Sequence, residues 1–160
     1  MRGRKMSIVM IRIDDRLIHG QIVTAWAKNK NAGKIWVVDT ATAKDDFLSG
    51  VMKMVAPSDR ELVISSEDQI NELVPKFDAE LENVLILMKT PEVAKKIFEA
   101  GVKLTELNIG GMGANPERKK LFKNISASPS EVQTLKEIQN SGVFVYFQVT
   151  PDEKKTEFNF

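Results

Sequence analysis

Two hydrophobic rhythms alternate along the chain. Short runs of apolar, β-branched or aromatic positions cover residues 7–13, 34–40, 61–65, 83–88, 106–109, 123–127 and 143–149. Several are apolar at consecutive positions, as in Ile35-Trp36-Val37-Val38 and Val84-Leu85-Ile86-Leu87. A strand with one wet face alternates, whereas a strand covered on both faces does not, so these runs predict a parallel sheet between helices. The intervening stretches carry helical spacing, as in Ile22, Val23, Trp26 and Ala27.

The punctuation agrees. Thr90-Pro91 and Ser128-Pro129 each offer an N-cap followed by proline at the first helical position. Ser128 with Glu131, and Ser66 with Gln69, have capping-box spacing, and Asp45-Asp46 opens another helix. Gly33, Gly101 and Gly142 stand between a helical stretch and the next strand, where a left-handed C-terminal cap suits glycine. Pro75 interrupts the helix predicted over 67–81, which is expected to end early or kink. Residues 109–116 form a glycine-rich loop. The expected architecture is a single-domain α/β three-layer open sheet of about seven mostly parallel strands with helices on both faces. Residues 1–6 read as a disordered basic extension with Met6 as a natural start, 7–155 as the domain, and 156–160 as a tail.

Composition narrows the chemistry. The chain has 160 residues, with 23 Lys+Arg against 22 Asp+Glu, and a net charge of +1 lacks the basic excess of a nucleic-acid-binding module. It has no cysteine, which excludes disulfides, thiolate metal sites and cysteine nucleophiles. Its single histidine excludes any site needing two imidazoles. No apolar run approaches the ~20 residues of a membrane helix, and no signal-peptide stretch follows the basic start.

Ligands of open parallel sheets bind beyond the carboxyl ends of the strands. After the first strand comes Asp14-Asp15-Arg16-Leu17-Ile18-His19-Gly20-Gln21, leading into a helix. A helix start presents unpaired amides to a phosphoryl group, and Arg16 can add charge-assisted hydrogen bonds. Gly20 allows close backbone approach, Asp14 can orient the loop or the ring, and the imidazole of His19 can attack phosphorus. Spacing alone is equally compatible with an ordinary surface histidine beside a solvated charge cluster. The loop at Gly110, Gly111 and Gly113 matches neither a P-loop nor a dinucleotide fingerprint, and it is read as a tight turn or a second element of the same rim. Asp39 and Asp45-Asp46 read as strand-end and helix-start acids rather than metal ligands. Met52, Met54 and Val55 read as core fillers, Lys95-Lys96 and Lys119-Lys120 as solvated, and no Gly-x-Ser-x-Gly elbow is present.

The stretch Arg12-Ile-Asp-Asp-Arg-Leu-Ile-His-Gly-Gln-Ile22 resembles the active-site loop of the IIB component of the mannose/fructose/sorbose class of bacterial phosphoenolpyruvate-dependent sugar phosphotransferase systems. The resemblance runs from about residue 7 to 155, through Trp36-Val-Val-Asp39, Met52-Lys-Met-Val-Ala-Pro57, Leu87-Met-Lys-Thr-Pro-Glu92 and Asn108-Ile-Gly-Gly-Met112. It implies a cytoplasmic phosphoryl carrier, held at the inner face of the cell membrane by its partners. Such a protein takes the group from a phosphohistidine of a IIA protein and passes it to a sugar presented by the membrane components IIC and IID. By motif position His19 is the phosphorylated residue, on Nδ1; Arg16 steadies the phosphoryl group, Asp14 supports the loop, and amides around Ile18, Gly20 and Gln21 cradle the oxygens. Asn108, Gly110 and Gly111 are expected neighbours, and neither cofactor nor metal is implied. Thr40 departs from the acid that many relatives carry beside Asp39, and no IIA sequence is fused here. The residues leave two alternatives open: a flavodoxin-like small-molecule or nucleotide-binding module, and a regulatory module that accepts phosphate at His19 without passing it on. They set neither the sugar nor the oligomeric state, and a homo-oligomer is allowed.

Overall fold

The structure, a computed structural model, describes residues 6–160, so residues 1–5 of the expected extension lie outside the described residues. In chain order the elements are β1 (Ile8–Asp14), α1 (Gly20–Asn29), β2 (Lys34–Val38), α2 (Thr40–Ala43), α3 (Asp46–Val55), β3 (Glu61–Ser65), a 3-10 turn (Glu67–Gln69), α4 (Ile70–Asp78), β4 (Val84–Met88), α5 (Pro91–Glu99), β5 (Glu106–Gly111), β6 (Lys119–Phe122), β7 (Ile125–Ala127), α6 (Pro129–Asn140), β8 (Phe144–Phe147) and β9 (Thr156–Glu157). Among the described residues no helix is long and apolar enough to cross a membrane.

The main sheet has seven strands in the order β3-β2-β4-β1-β5-β8-β9. Only β9 is antiparallel to its neighbour. The consecutive apolar residues of each strand split between two cores. Trp36, Val38, Ile86 and Ile109 face α4, α5 and α6, whereas Ile35, Val37, Leu85 and Leu87 face α1. This is the three-layer α/β sandwich the patterning predicts. Its topology also creates a site: β1 leads through α1 toward β2 on one side, while β5 leads through α6 to β8 on the other. The connections leaving two adjacent strands thus diverge, opening a crevice between the carboxyl ends of β1 and β5.

Several local expectations are corrected. Residues 123–127 supply no strand of the main sheet; Lys123 adopts φ +48° and turns β6 back onto β7 as a separate antiparallel hairpin. The seventh strand comes from the supposed tail, where β9 pairs with β8 and Phe158 is fully buried against Phe147. Asn31 at φ +50° takes the left-handed position after α1, so Gly33 has no such role, whereas Gly101 and Gly142 fill theirs at φ +91° and +104°. The capping box forms at Ser128 and Glu131; Ser66 makes none, because its hydroxyl turns to Asp68 instead. Helix α4 runs through Pro75 and stops at Asp78, whose carboxylate accepts from the amides of Ile8 and Lys103. Met54 and Val55 are exposed, and α3 buries none of its residues completely.

Deleting the Phe158 ring removes a fully buried aromatic from beneath the terminal strand. Phe158→Ala is expected to cost about 3–5 kcal/mol in urea denaturation. Phe160→Ala, at a half-exposed ring, is expected to cost well under that.

Candidate functional site

Arg12 and Asp14 lie two residues apart on β1 and therefore point to the same face, beyond Met10 and toward α1. Arg12 is 1% exposed. Its Nη1 donates to Asn108 Oδ1 (2.6 Å) and the Gln148 carbonyl (3.0 Å), and its Nη2 donates to Asp14 Oδ2 (3.1 Å) and the Val149 carbonyl (3.0 Å). The guanidinium also lies 5.4 Å from the Trp26 ring, whose Nε1 donates to that same Val149 carbonyl at 2.9 Å. Burial pushes the Arg12 guanidinium below its ordinary value, against the pull of Asp14.

Asp14 is fully buried and uses both carboxylate oxygens twice. Oδ1 accepts from the Arg16 amide (3.1 Å) and Nε (2.9 Å), while Oδ2 accepts from Arg16 Nη2 (2.9 Å) and from Arg12. Burial pushes this carboxyl up, but the Arg16 hydrogen bonds and the Arg12 charge together outweigh it and leave it below the usual carboxylate value. The same bidentate contact raises Arg16. The Arg16 side chain is nonetheless 46% exposed. Its Nη1 has no hydrogen-bond partner among the described residues, so a donor with fixed direction faces outward.

The loop turns sharply here. The Leu17 amide donates to the Asp14 carbonyl at 2.8 Å, and Leu17 is held at φ +55° while fully buried. Gly20 follows at φ +48°, a left-handed backbone that suits glycine, with open space around it. Between them His19 is the N-cap of α1, with its side chain 21% exposed. Its Nδ1 lies 3.1 Å from the Leu17 carbonyl, which can only accept, so Nδ1 carries a proton in that contact. Its Nε2 lies 3.7 Å from Asp14 Oδ2, buried and without a hydrogen bond. Ile18 is buried in the α1-side core, whereas Gly20 and Gln21 are exposed and begin the helix whose first amides have no intrahelical acceptor.

Gly110 and Gly111 are not in a loop: β5 continues through them. A Cβ on Gly110 would stand 2.0 Å from the Arg12 Cζ, and one on Gly111 2.6 Å from Asp14 Oδ1. The register between β1 and β5 slips there, from Ile13 opposite Ile109 to Asp14 opposite Gly111. These glycines leave room for the two buried charges, and they open no helix as a nucleotide-binding turn would. Asn108, beside Arg12 in register, accepts from it and donates to the Gln148 carbonyl at 3.1 Å. All the residues expected at the site are therefore on one rim. A cleft of ≈ 380 Å³ opens beside Arg16, between the Gly110–Gly113 segment and the β6–β7 hairpin. Sequence reasoning missed Arg12 as a working residue, although a charge inside an apolar strand, two positions from Asp14, was a visible signal. It also missed the carbonyls of Gln148 and Val149, which leave no trace in side-chain chemistry.

Because the Asp14 carboxyl is held below its ordinary value, its contribution to stability is present above about pH 4 and is lost as the pH falls through the lower folded value. Asp14→Asn is expected to cost about 3–5 kcal/mol at neutral pH, since Arg12 stays buried without its counter-charge. The variant is also expected to show a shallower loss of stability on acidification in urea titrations.

The family of the PTS system sorbose subfamily IIB component has a model that matches residues 8–159. A sorbose-specific EIIB component of Klebsiella pneumoniae is 30% identical over 148 residues, covering 92% of this chain and 90% of that protein. A fructose-specific EIIB component of Bacillus subtilis (strain 168) is 30% identical over 156 residues, covering 96% and 94%. The crystal structure of the IIBSor domain of the Klebsiella pneumoniae sorbose permease superposes with a TM-score of 0.87 at 30% identity, covering 94% of this chain and 93% of that one.

Proposed function

The chain belongs to the sorbose subfamily of IIB components of sugar phosphotransferase systems, and on that premise we propose that it ferries a phosphoryl group on His19 from a IIA protein to a sugar. The observation that carries this reading is the juxtaposition of the single histidine, at the start of α1, with Arg16, whose guanidinium is gripped from behind by buried Asp14 and open in front.

Phosphoryl transfer through a loose transition state asks mainly for in-line placement and compensation of charge on the equatorial oxygens. In the first step the lone pair of His19 Nδ1 attacks phosphorus while the bond from phosphorus to the donor's histidine nitrogen breaks, and that ring leaves with the electron pair. Nδ1 must first leave the Leu17 carbonyl, which requires the ring to turn, and it gives its proton to solvent as Nε2 takes one up from solvent, so that the neutral ring keeps one proton. Nε2 lies 3.7 Å from Asp14 Oδ2 before that turn, and a closer approach during it lets the carboxylate accept from Nε2–H and hold the tautomer with Nδ1 free. Arg16 and the first amides of α1 meet the phosphoryl oxygens. In the second step a sugar hydroxyl oxygen attacks, its proton passes to solvent or a base of the partner, and the P–N bond breaks with its electrons returning to Nδ1.

The site lies on an open rim, as successive contact with two partners demands. In this reading the donor is a phosphohistidine of a IIA protein, and the acceptor sugar is presented by the IIC and IID membrane components, which hold the chain at the inner face of the cell membrane. Relatives of equal identity are named for sorbose and for fructose, so this reading names no single sugar.

His19→Ala is expected to take no radiolabel from a phosphorylated IIA donor while melting within a few degrees of wild type; a labelled variant would end the assignment. Arg16→Ala is expected to keep its fold and to slow transfer by about a hundredfold or more, as loss of one preorganised donor does elsewhere. Single-turnover transfer rates alongside thermal melts check this, and an unchanged rate removes the role of Arg16.

A further inference from the structure

Asp15, between the two residues that build the site, belongs to a second ionic chain. Its Oδ2 accepts from the Gly113 amide at 2.8 Å and from Arg118 Nη1 at 3.2 Å. The same Nη1 donates to the Gly113 carbonyl at 2.8 Å, so one guanidinium corner holds both the His19 loop and the segment leaving β5. The other edge of Arg118 is bidentate to Glu131, with Nε to Oε1 at 2.9 Å and Nη2 to Oε2 at 2.8 Å. Glu131 is in turn locked into the capping box that starts α6. The Arg118 side chain is 9% exposed and that of Glu131 11%, which shields both from solvent screening. Asp15 is also tied through its backbone, its amide donating to the Gly111 carbonyl at 3.0 Å.

We propose that Arg118 is a positioning residue for phosphoryl transfer, holding the His19 loop in register with the end of β5 through Asp15. This inference rests on the carrier reading of His19. Asp14, the last residue of β1, sets where the Arg16 guanidinium points, but its side chain bonds only Arg12 and Arg16 and reaches neither the Gly113 segment nor α6. Arg118 reaches both, and bonds Asp15 from the opposite side of the crevice, 103 residues away in sequence. Only a fork with both edges engaged can grip Glu131 bidentately and still reach Asp15, which a lysine in its place would not do.

The single histidine makes the test clean, because its ring nitrogens give one set of NMR resonances in the labelled protein. Arg118→Gln and Asp15→Asn are each expected to shift or broaden those resonances. Each is expected to lower the maximal rate of transfer from a phosphorylated IIA donor by about tenfold to a hundredfold, the cost of small misplacement at a reacting centre, with the KM for donor unchanged. The double variant is expected to be no slower than the slower single, because both break one link. Phe158→Ala, destabilised at a distance from the loop, is expected to keep wild-type ring signals and rates well below its melting temperature. Arg118→Gln and Asp15→Asn proteins with wild-type ring signals and rates, or with independent additive losses, would overturn the proposal. Should the wild-type protein take no phosphoryl group at all, the carrier reading fails, and the ring signals still decide whether Arg118 sets the loop.

Discussion

A buried pair of opposite charges, Arg12 and Asp14, governs the site end of this molecule. Taking either charge out of water alone costs several kcal/mol, so both must be surrounded by partners. Arg12 finds them in Asn108, Asp14 and two carbonyls that follow β8; Asp14 finds them in Arg12, Arg16 and a backbone amide. Each of these requirements fixes something else. The neighbouring strand must be glycine at 110 and 111, where side chains would occupy the space of the ion pair. The chain beyond β8 must pass close enough to offer the Gln148 and Val149 carbonyls, with Trp26 bracing the second. Arg16, the outermost of the three charged side chains, reaches solvent, whereas Arg12 and Asp14 do not.

The result is a cation whose direction is set from inside the protein. A free surface arginine samples many rotamers and loses that freedom on meeting an anion. Arg16 has already lost it to Asp14, so little further ordering would accompany contact with an anion. The topology puts this device where the connections leaving β1 and β5 part company, which keeps neighbouring helices from covering the rim.

The central strands and their helices were legible because burial on both faces writes continuous apolar runs, as at Val84–Met88, and because caps such as Ser128 with Glu131 act locally. The hairpin and the last strand were not. Lys123 turns left-handed without being glycine, and Phe158 sits in a polar tail where nothing local says that it packs beneath β8. The site divides the same way. The stretch carrying Asp14, Arg16 and His19 is contiguous and could be read directly, whereas the Gln148 and Val149 carbonyls that hold Arg12 leave no side-chain signal. Arg118 was hidden by sequence distance from Asp15. The glycines were read as a turn on the same rim; they are strand residues that yield space to the buried charges.

The backbone of the loop carries strain that fits this division of labour. Leu17 at φ +55° lacks the freedom of glycine, and its conformation costs about 1 kcal/mol or more. It persists because its side chain is buried and its amide closes the turn onto Asp14. That turn points the Leu17 carbonyl at His19 Nδ1, parking the ring in the free protein. A phosphoryl group on Nδ1 removes the proton that the contact depends on, leaving a carbonyl oxygen against an anionic group. On the carrier reading, phosphorylation thus obliges the ring to leave Leu17, so the loaded and empty proteins offer different faces to their partners. A rigid loop around a ring that must turn allows this; a loop that softened as a whole would lose the alignment of Arg16 in the same motion.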